Sequence, residues 1–127
     1  MRVLDTAVPR SPGAQLPTGD AGPRGRSVDY SAPFQRAIEL IGKRWTGAVI
    51  RALLARPERF NALLMGIPGS SDRVLTERLR ELEAGGLVAR LVDPGPPVRV
   101  TYELTDRGRE LAPVVAAIDA WAGEEAE

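Results

Sequence analysis

The sequence predicts a mainly α fold with one small β-hairpin, an α+β class, and three stretches predict it. Residues 71–86 have helical spacing: Leu75, Leu79 and Leu82 fall at i, i+4 and i+7 and line one side. Just before them, Pro68-Gly69 interrupts a shorter apolar run, so a short helix and a longer one are joined by a tight turn. Just after them the apolar period changes from helical to two, and two extended runs flank Asp93-Pro94-Gly95-Pro96-Pro97, a stiff hairpin tip. Two helices, a turn and a hairpin in that order make a winged helix-turn-helix.

The chain in order gives each element a reason. Residues 1–29 alternate Pro9, Pro12, Pro17 and Pro23 with Gly13, Gly19, Gly22 and Gly25. Such a stretch buries too little apolar surface to offset its ordering entropy, so a disordered tail is expected, with Arg24 and Arg26 as the only hint of an arm toward DNA or a partner subunit. A single domain is expected over residues 30–122, and an acidic end over 123–127. Phe34, Ala37, Ile38 and Ile41 mark a first helix with Pro33 in its first turn, and Gly42 breaks or bends it. A second helix runs from about Trp45 to Ala55 with Trp45, Val49, Ile50, Leu53 and Leu54 inward. Glu58-Arg59-Phe60 reads as a short edge strand. Asn61 is a candidate cap for a third helix, in which Leu63, Leu64 and Ile67 are apolar and Met65 is expected to face the core.

The fourth helix is the best bounded. Ser71 can accept a hydrogen bond from a free N–H of the first turn, and Asp72 stands where the helix dipole favours a negative charge. Gly85-Gly86 supplies a residue able to take positive φ, after which Leu87 can fold back on the last turn. In the hairpin, Leu87 to Val92 is apolar and β-branched. Val98, Val100, Tyr102 and Leu104 alternate with Arg99, Thr101 and Glu103, so the valines should point inward and Arg99 outward. A last helix opens at Thr105, with a kink or restart expected at Pro113. Its stripe of Leu111, Val114, Val115, Ile118 and Trp121 exceeds what so small a core can cover, and a second subunit explains it better.

Composition removes several classes of function. The 127 residues contain no cysteine and no histidine, so disulfides, thiolate metal sites, cysteine nucleophiles and the commonest general base are absent. No G-x-S-x-G nucleophile turn is present either. The chain is therefore expected not to be an enzyme and to carry no metal or cofactor. No apolar run is long enough to cross a bilayer and no secretory signal pattern opens the chain, so a cytoplasmic protein is expected. The net charge is zero, but residues 34–121 hold thirteen basic groups against eleven acidic ones, and Lys43 is the only lysine. Arginine suits phosphate and guanine edges, although a GC-rich genome also favours it.

Reading a duplex needs side chains at base edges and cations at phosphates. Arg73, Thr76, Glu77 and Arg80 share the polar face of the fourth helix. Arginine can fork onto guanine, the threonine methyl can touch thymine, and glutamate can accept from cytosine. The competing reading is a solvated face with an Arg73–Glu77 ion pair worth about 0.3–0.5 kcal/mol. Arg44 before the second helix, Arg59 before the third, Ser71 at the turn and Arg99 on the wing are the candidate phosphate contacts; Ser71 also serves as a cap, and Lys43 stays open. Should these arginines scatter over the fold, the alternative is a winged helix used for protein–protein assembly.

Ile41-Gly42-Lys43-Arg44-Trp45, Arg59-Phe60-Asn61, Ile67-Pro68-Gly69, Leu75-Thr76, Leu79-Arg80-Glu81-Leu82-Glu83, Gly86-Leu87-Val88, Tyr102-Glu103-Leu104-Thr105 and Gly108 together resemble the HxlR-type winged-helix transcriptional regulators, relatives of the MarR group. The resemblance covers roughly residues 32–121. It implies a homodimer on a pseudo-palindromic operator of double-stranded DNA, with repression or activation of nearby genes. Ala32 stands where many such proteins carry the cysteine that senses oxidants, and Ser70 stands where a branched apolar residue is usual. Without a thiol, sulfenic acid and disulfide switching have no chemistry to use. Two readings of the signal remain: constitutive binding governed by abundance, or a small apolar or aromatic effector between the subunits. Phe34, Trp45, Val115, Ile118 and Trp121 are the candidate lining of that dimer or effector cleft.

Overall fold

The computed structural model describes residues 27–126, with side chains described through Gly123. The expected tail of residues 1–29 therefore lies outside the described residues except for 27–29, and so do the side chains of the acidic end. The chain divides into two compact units, with the division between Gln35 and Arg36. In the first, the Ser31 hydroxyl accepts from the Phe34 N–H at 3.2 Å and starts a helix. That helix, α1, spans Ala32–Ile41, and Phe34 is exposed on it.

The second unit holds the core. Helix α2 spans Thr46–Ala55, a two-residue strand β1 spans Glu58–Arg59, and helices α3 and α4 span Phe60–Gly66 and Asp72–Ala84. Strands β2, Val88–Asp93, and β3, Arg99–Leu104, form the hairpin; a single turn α5, Asp106–Arg109, leads into α6, Ala112–Ala126. The sheet is antiparallel in the order β1-β3-β2, with Glu58 opposite Tyr102 and Arg59 opposite Thr101. The hairpin register runs from Val88 opposite Leu104 to Asp93 opposite Arg99. This is the predicted class and order.

The apolar spacing of each helix meets at one place. Val49, Ile50 and Leu53 of α2, Leu63 of α3, Ile67 after it, and Leu75, Leu79 and Leu82 of α4 are buried together with Leu87, Val88 and Leu104. Leu54, Trp45, Leu64 and Val115 pack half-buried around them. Three local predictions change. The helix α3 begins at Phe60, one residue before Asn61, and no side chain caps it, because the residue at the cap position is Arg59, whose side chain has no acceptor. Met65 is 84% exposed. It stands two residues, about 200° of helix, from buried Leu63, so a residue of core type points outward. Val98 is also exposed: β3 starts only at Arg99, and the residue before it still belongs to the open tip of the hairpin.

The ends of α4 and the approach to α6 follow the predicted chemistry. Gly86 has φ +79, the Leu87 N–H donates to the Leu82 carbonyl at 2.9 Å, and the Gly86 N–H donates to Glu83 at 3.0 Å. The Thr105 hydroxyl accepts from the Gly108 N–H at 3.1 Å and donates to the Gly86 carbonyl at 2.6 Å, which ties the foot of the wing to the end of α4. The helix does not run through Pro113; it breaks after Arg109 and restarts at Ala112, placing the proline in a first turn. Arg51 of α2 and Asp119 of α6 then pair at 3.1 Å.

Candidate nucleic-acid interface

Helix α4 is presented by the turn before it. Gly69 adopts φ +89, a conformation disfavoured for residues with a Cβ, and the Ser70 hydroxyl donates to the Ile67 carbonyl at 2.8 Å. Ser71 then caps the helix: its hydroxyl accepts from the Val74 N–H at 3.2 Å, and its own proton remains to donate outward. With Leu75, Leu79 and Leu82 in the core, the remaining face carries what can meet a partner.

On that face the Arg73 side chain is 86% exposed and stands 3.8 Å from Glu77, a long contact that holds neither group firmly. Thr76 is half-buried between Arg73 and Arg80, and Arg80 is exposed with no ion pair among the described residues. So Arg73, Thr76, Glu77 and Arg80 occupy one accessible helical face, and the local ion pair of the competing reading is present as well.

The flanking cations fall into two groups. Arg59 and Arg99 line one open cleft together with Phe60, Asn61, Val98 and Thr101, at the junction of β1, α3 and the wing. Neither has an ion-pair partner among the described residues. Arg44 stands elsewhere, on the turn before α2, with its guanidinium 5.0 Å from the centre of the Trp45 ring. Lys43, left open by the sequence, pairs with Glu81 at 3.2 Å.

The residue that sequence reasoning passed over is Arg78. Its side chain is only 16% exposed. Nε donates to the Arg44 carbonyl at 3.0 Å and Nη1 donates to both Glu81 oxygens at 3.1 and 3.3 Å. Its position three residues after Leu75, at the border of the apolar stripe, was the available signal.

The proposed apolar cleft residues divide in the same way. Val115 packs against the core, whereas Ile118 is 55% and Trp121 79% exposed on α6. Trp45 is engaged within the subunit: a Cβ added at Gly69 would come within 3.0 Å of its Cη2. Among the described residues no group of three or more acidic, cysteine or histidine residues is placed to hold a metal, and no helix is long and apolar enough to cross a membrane.

Comparison with known proteins bears on the family and the fold. Residues 40–127 match the profile of the HxlR-like helix-turn-helix. The chain is 44% identical over 91 residues to YvaP of Bacillus subtilis, an HTH-type transcriptional regulator, across 72% of this chain and 84% of that one. It is 42% identical over 91 residues to the HTH-type regulator YodB of the same organism, across 72% and 81%. Among solved structures, reduced YodB superposes with a TM-score of 0.68 at 40% identity, covering 74% of this chain and 92% of that one. The redox regulator HypR in its reduced form superposes at 0.71 with 34% identity, covering 76% and 95%. These relatives are regulators and not enzymes.

Proposed function

The chain belongs to the HxlR-like helix-turn-helix family of transcriptional regulators, a DNA-binding family, and on that footing we propose that it acts as a homodimer reading a pseudo-palindromic operator with α4. The observation that carries this reading is the division of α4 into a wholly buried leucine stripe and an accessible face of Arg73, Thr76, Glu77 and Arg80. A polar face backed by the core and left open for a partner is what major-groove readout requires. In this reading Arg59 and Arg99 neutralise phosphates at the root of the wing, Arg44 neutralises one at the turn before α2, Ser71 donates its hydroxyl proton to one at the turn before α4, and the exposed part of α6 meets its copy.

The signal differs from a thiol switch. HypR is described as a redox regulator, but this chain has Ala32 at the usual cysteine position and no cysteine elsewhere in its 127 residues. A small apolar or aromatic effector seated against Val115, Ile118 and Trp121 retunes the dimer if it prefers one subunit geometry over the other. The test of the function is selection of bound duplexes from a random pool, followed by titration of the selected sequence at several salt concentrations. Enrichment of one sequence, with affinity falling steeply as salt rises, is expected. Enrichment of nothing, with the purified chain instead bound to a protein, establishes the assembly reading in its place.

A further inference from the structure

The turn between α1 and α2 touches the helix-turn-helix at three points. Trp45 has φ +73, the one non-glycine positive φ among the described residues, and its ring lies against Gly69, whose own φ is +89 in the turn before α4. A bulky residue keeps that conformation only where its surroundings impose it, and such positions mark places where geometry serves a function. One residue earlier, the Arg44 carbonyl accepts from Arg78 of α4 at 3.0 Å. The other prong of Arg78 holds Glu81 at 3.1 Å, and Glu81 in turn holds Lys43 at 3.2 Å. Lys43, Arg44 and Trp45 thus grip α4 and its turn through one carbonyl, one ion-paired carboxylate and one ring.

We propose that Arg78 is the positioning residue of the reading helix: it fixes the rotation of α4 against the α1–α2 turn, so that Arg73, Thr76, Glu77 and Arg80 meet base edges in one register. The chemistry fits arginine and no other residue. A guanidinium presents two N–H directions in a rigid fork, one to the carbonyl and one to the carboxylate, whereas lysine offers a single mobile ammonium. The Arg78 side chain is mostly enclosed, and its Nε and Nη1 are both engaged within the subunit, so the work assigned to it here is internal and not at DNA. The leucine stripe fixes which face of α4 is outward, but apolar contacts are not directional and leave its exact rotation open. A directional fork at mid-helix closes that freedom. The wider consequence is that a shift of the α1–α2 turn is passed to the reading face through these contacts.

This inference rests on the proposed operator binding, and the experiment keeps the two apart. The selected operator and a scrambled duplex are titrated against the full chain, Arg78→Lys, Arg78→Gln and Arg73→Ala, with melting temperature and the slope of log affinity against log salt measured for each. For Arg78→Lys we expect a melting temperature close to wild type, an unchanged salt slope, and an operator-to-scrambled ratio reduced about tenfold, comparable to losing one base contact. Arg78→Gln loses the same selectivity together with some melting temperature. A lowered melting temperature with the selectivity of the folded fraction intact reduces Arg78 to a structural residue and overturns the proposal. A salt slope smaller by about 0.9 shows a direct phosphate contact and overturns it too. A wild-type chain with no preference for any duplex overturns the operator reading itself, and Arg78's role with it.

Discussion

Helices α4 and α6 look alike as sequence, each with an apolar stripe at helical spacing, and the fold treats them oppositely. In α4 the stripe of Leu75, Leu79 and Leu82 is sealed in the core. In α6 only Leu111 just before it and Val115 near its start reach the core, while Val114, Ile118 and Trp121 remain exposed. The difference lies in what surrounds them. Helix α4 is enclosed by α2, α3 and the foot of the wing, whereas α6 follows the hairpin, after the core is already filled, and is tied back by Arg51–Asp119. An apolar stripe says that a face must be covered and does not say by what. In α4 the chain covers it and leaves the opposite face open; in α6 the chain leaves most of the stripe itself open, and in the proposed function each open face is the one that meets a partner.

The largest effect sharpens this contrast. Leu75→Ala should cost about 2–5 kcal/mol of subunit stability, because it removes a fully buried side chain from a packed core. Chemical denaturation measures it, and a cost below about 1 kcal/mol would mean that α4 is not anchored as described. Trp121→Ala is the counterpart on α6. Subunit stability should change by no more than about 0.5 kcal/mol, as for an exposed site, while dimer association weakens by about 2 kcal/mol or more, as for a central aromatic anchor. Sedimentation across a dilution series reads the second quantity. If Trp121→Ala unfolds the subunit and leaves association untouched, the contrast between the two helices fails.

Much of this was legible in the residues, for identifiable reasons. Periodicity located α1 to α4, α6 and the hairpin, since a stripe needs only spacing, whereas the single turn α5 has no stripe of its own and reads as the start of the last helix. The caps at Ser71, Gly86 and Thr105 were legible because each chemistry acts within a few residues. What failed depended on angle or on distant atoms. Met65 was assigned by residue type, although its position opposite Leu63 sends it outward. Val98 was assigned by alternation, which holds only where a strand has begun. Asn61 has the chemistry of a cap, but the helix starts directly after β1, two residues earlier than an Asn61 cap would place it, and Asn61 falls inside its first turn. The spacing of Arg78 from Leu75 marks it as a border residue, but its role was not legible, because that comes from the Arg44 carbonyl, thirty-four residues away.

Smaller effects probe the face of α4 against its flanks. Arg73→Ala should cost about 1–3 kcal/mol on the preferred sequence and relax the choice at one base position. Arg99→Ala or Arg59→Ala should weaken all duplexes alike, each lowering the salt slope by about 0.9. Competition binding with single-base operator variants separates the two patterns; a changed base preference for Arg99→Ala with none for Arg73→Ala would reverse the assignment. The smallest expected effect is none: diamide, which attacks thiols, should leave DNA affinity unchanged in a chain with no cysteine. A gel shift with and without diamide checks it, and release of DNA that dithiothreitol reverses would contradict it.

The measurement that bears most directly on the whole account is the pattern of sites recovered by selection from random duplexes, read together with the mass of the complex. A dimer joined through α6 and reading with α4 predicts two inverted half-sites about 10–10.5 base pairs apart, centre to centre, and two chains per duplex. A single unpaired half-site bound by one chain would contradict it.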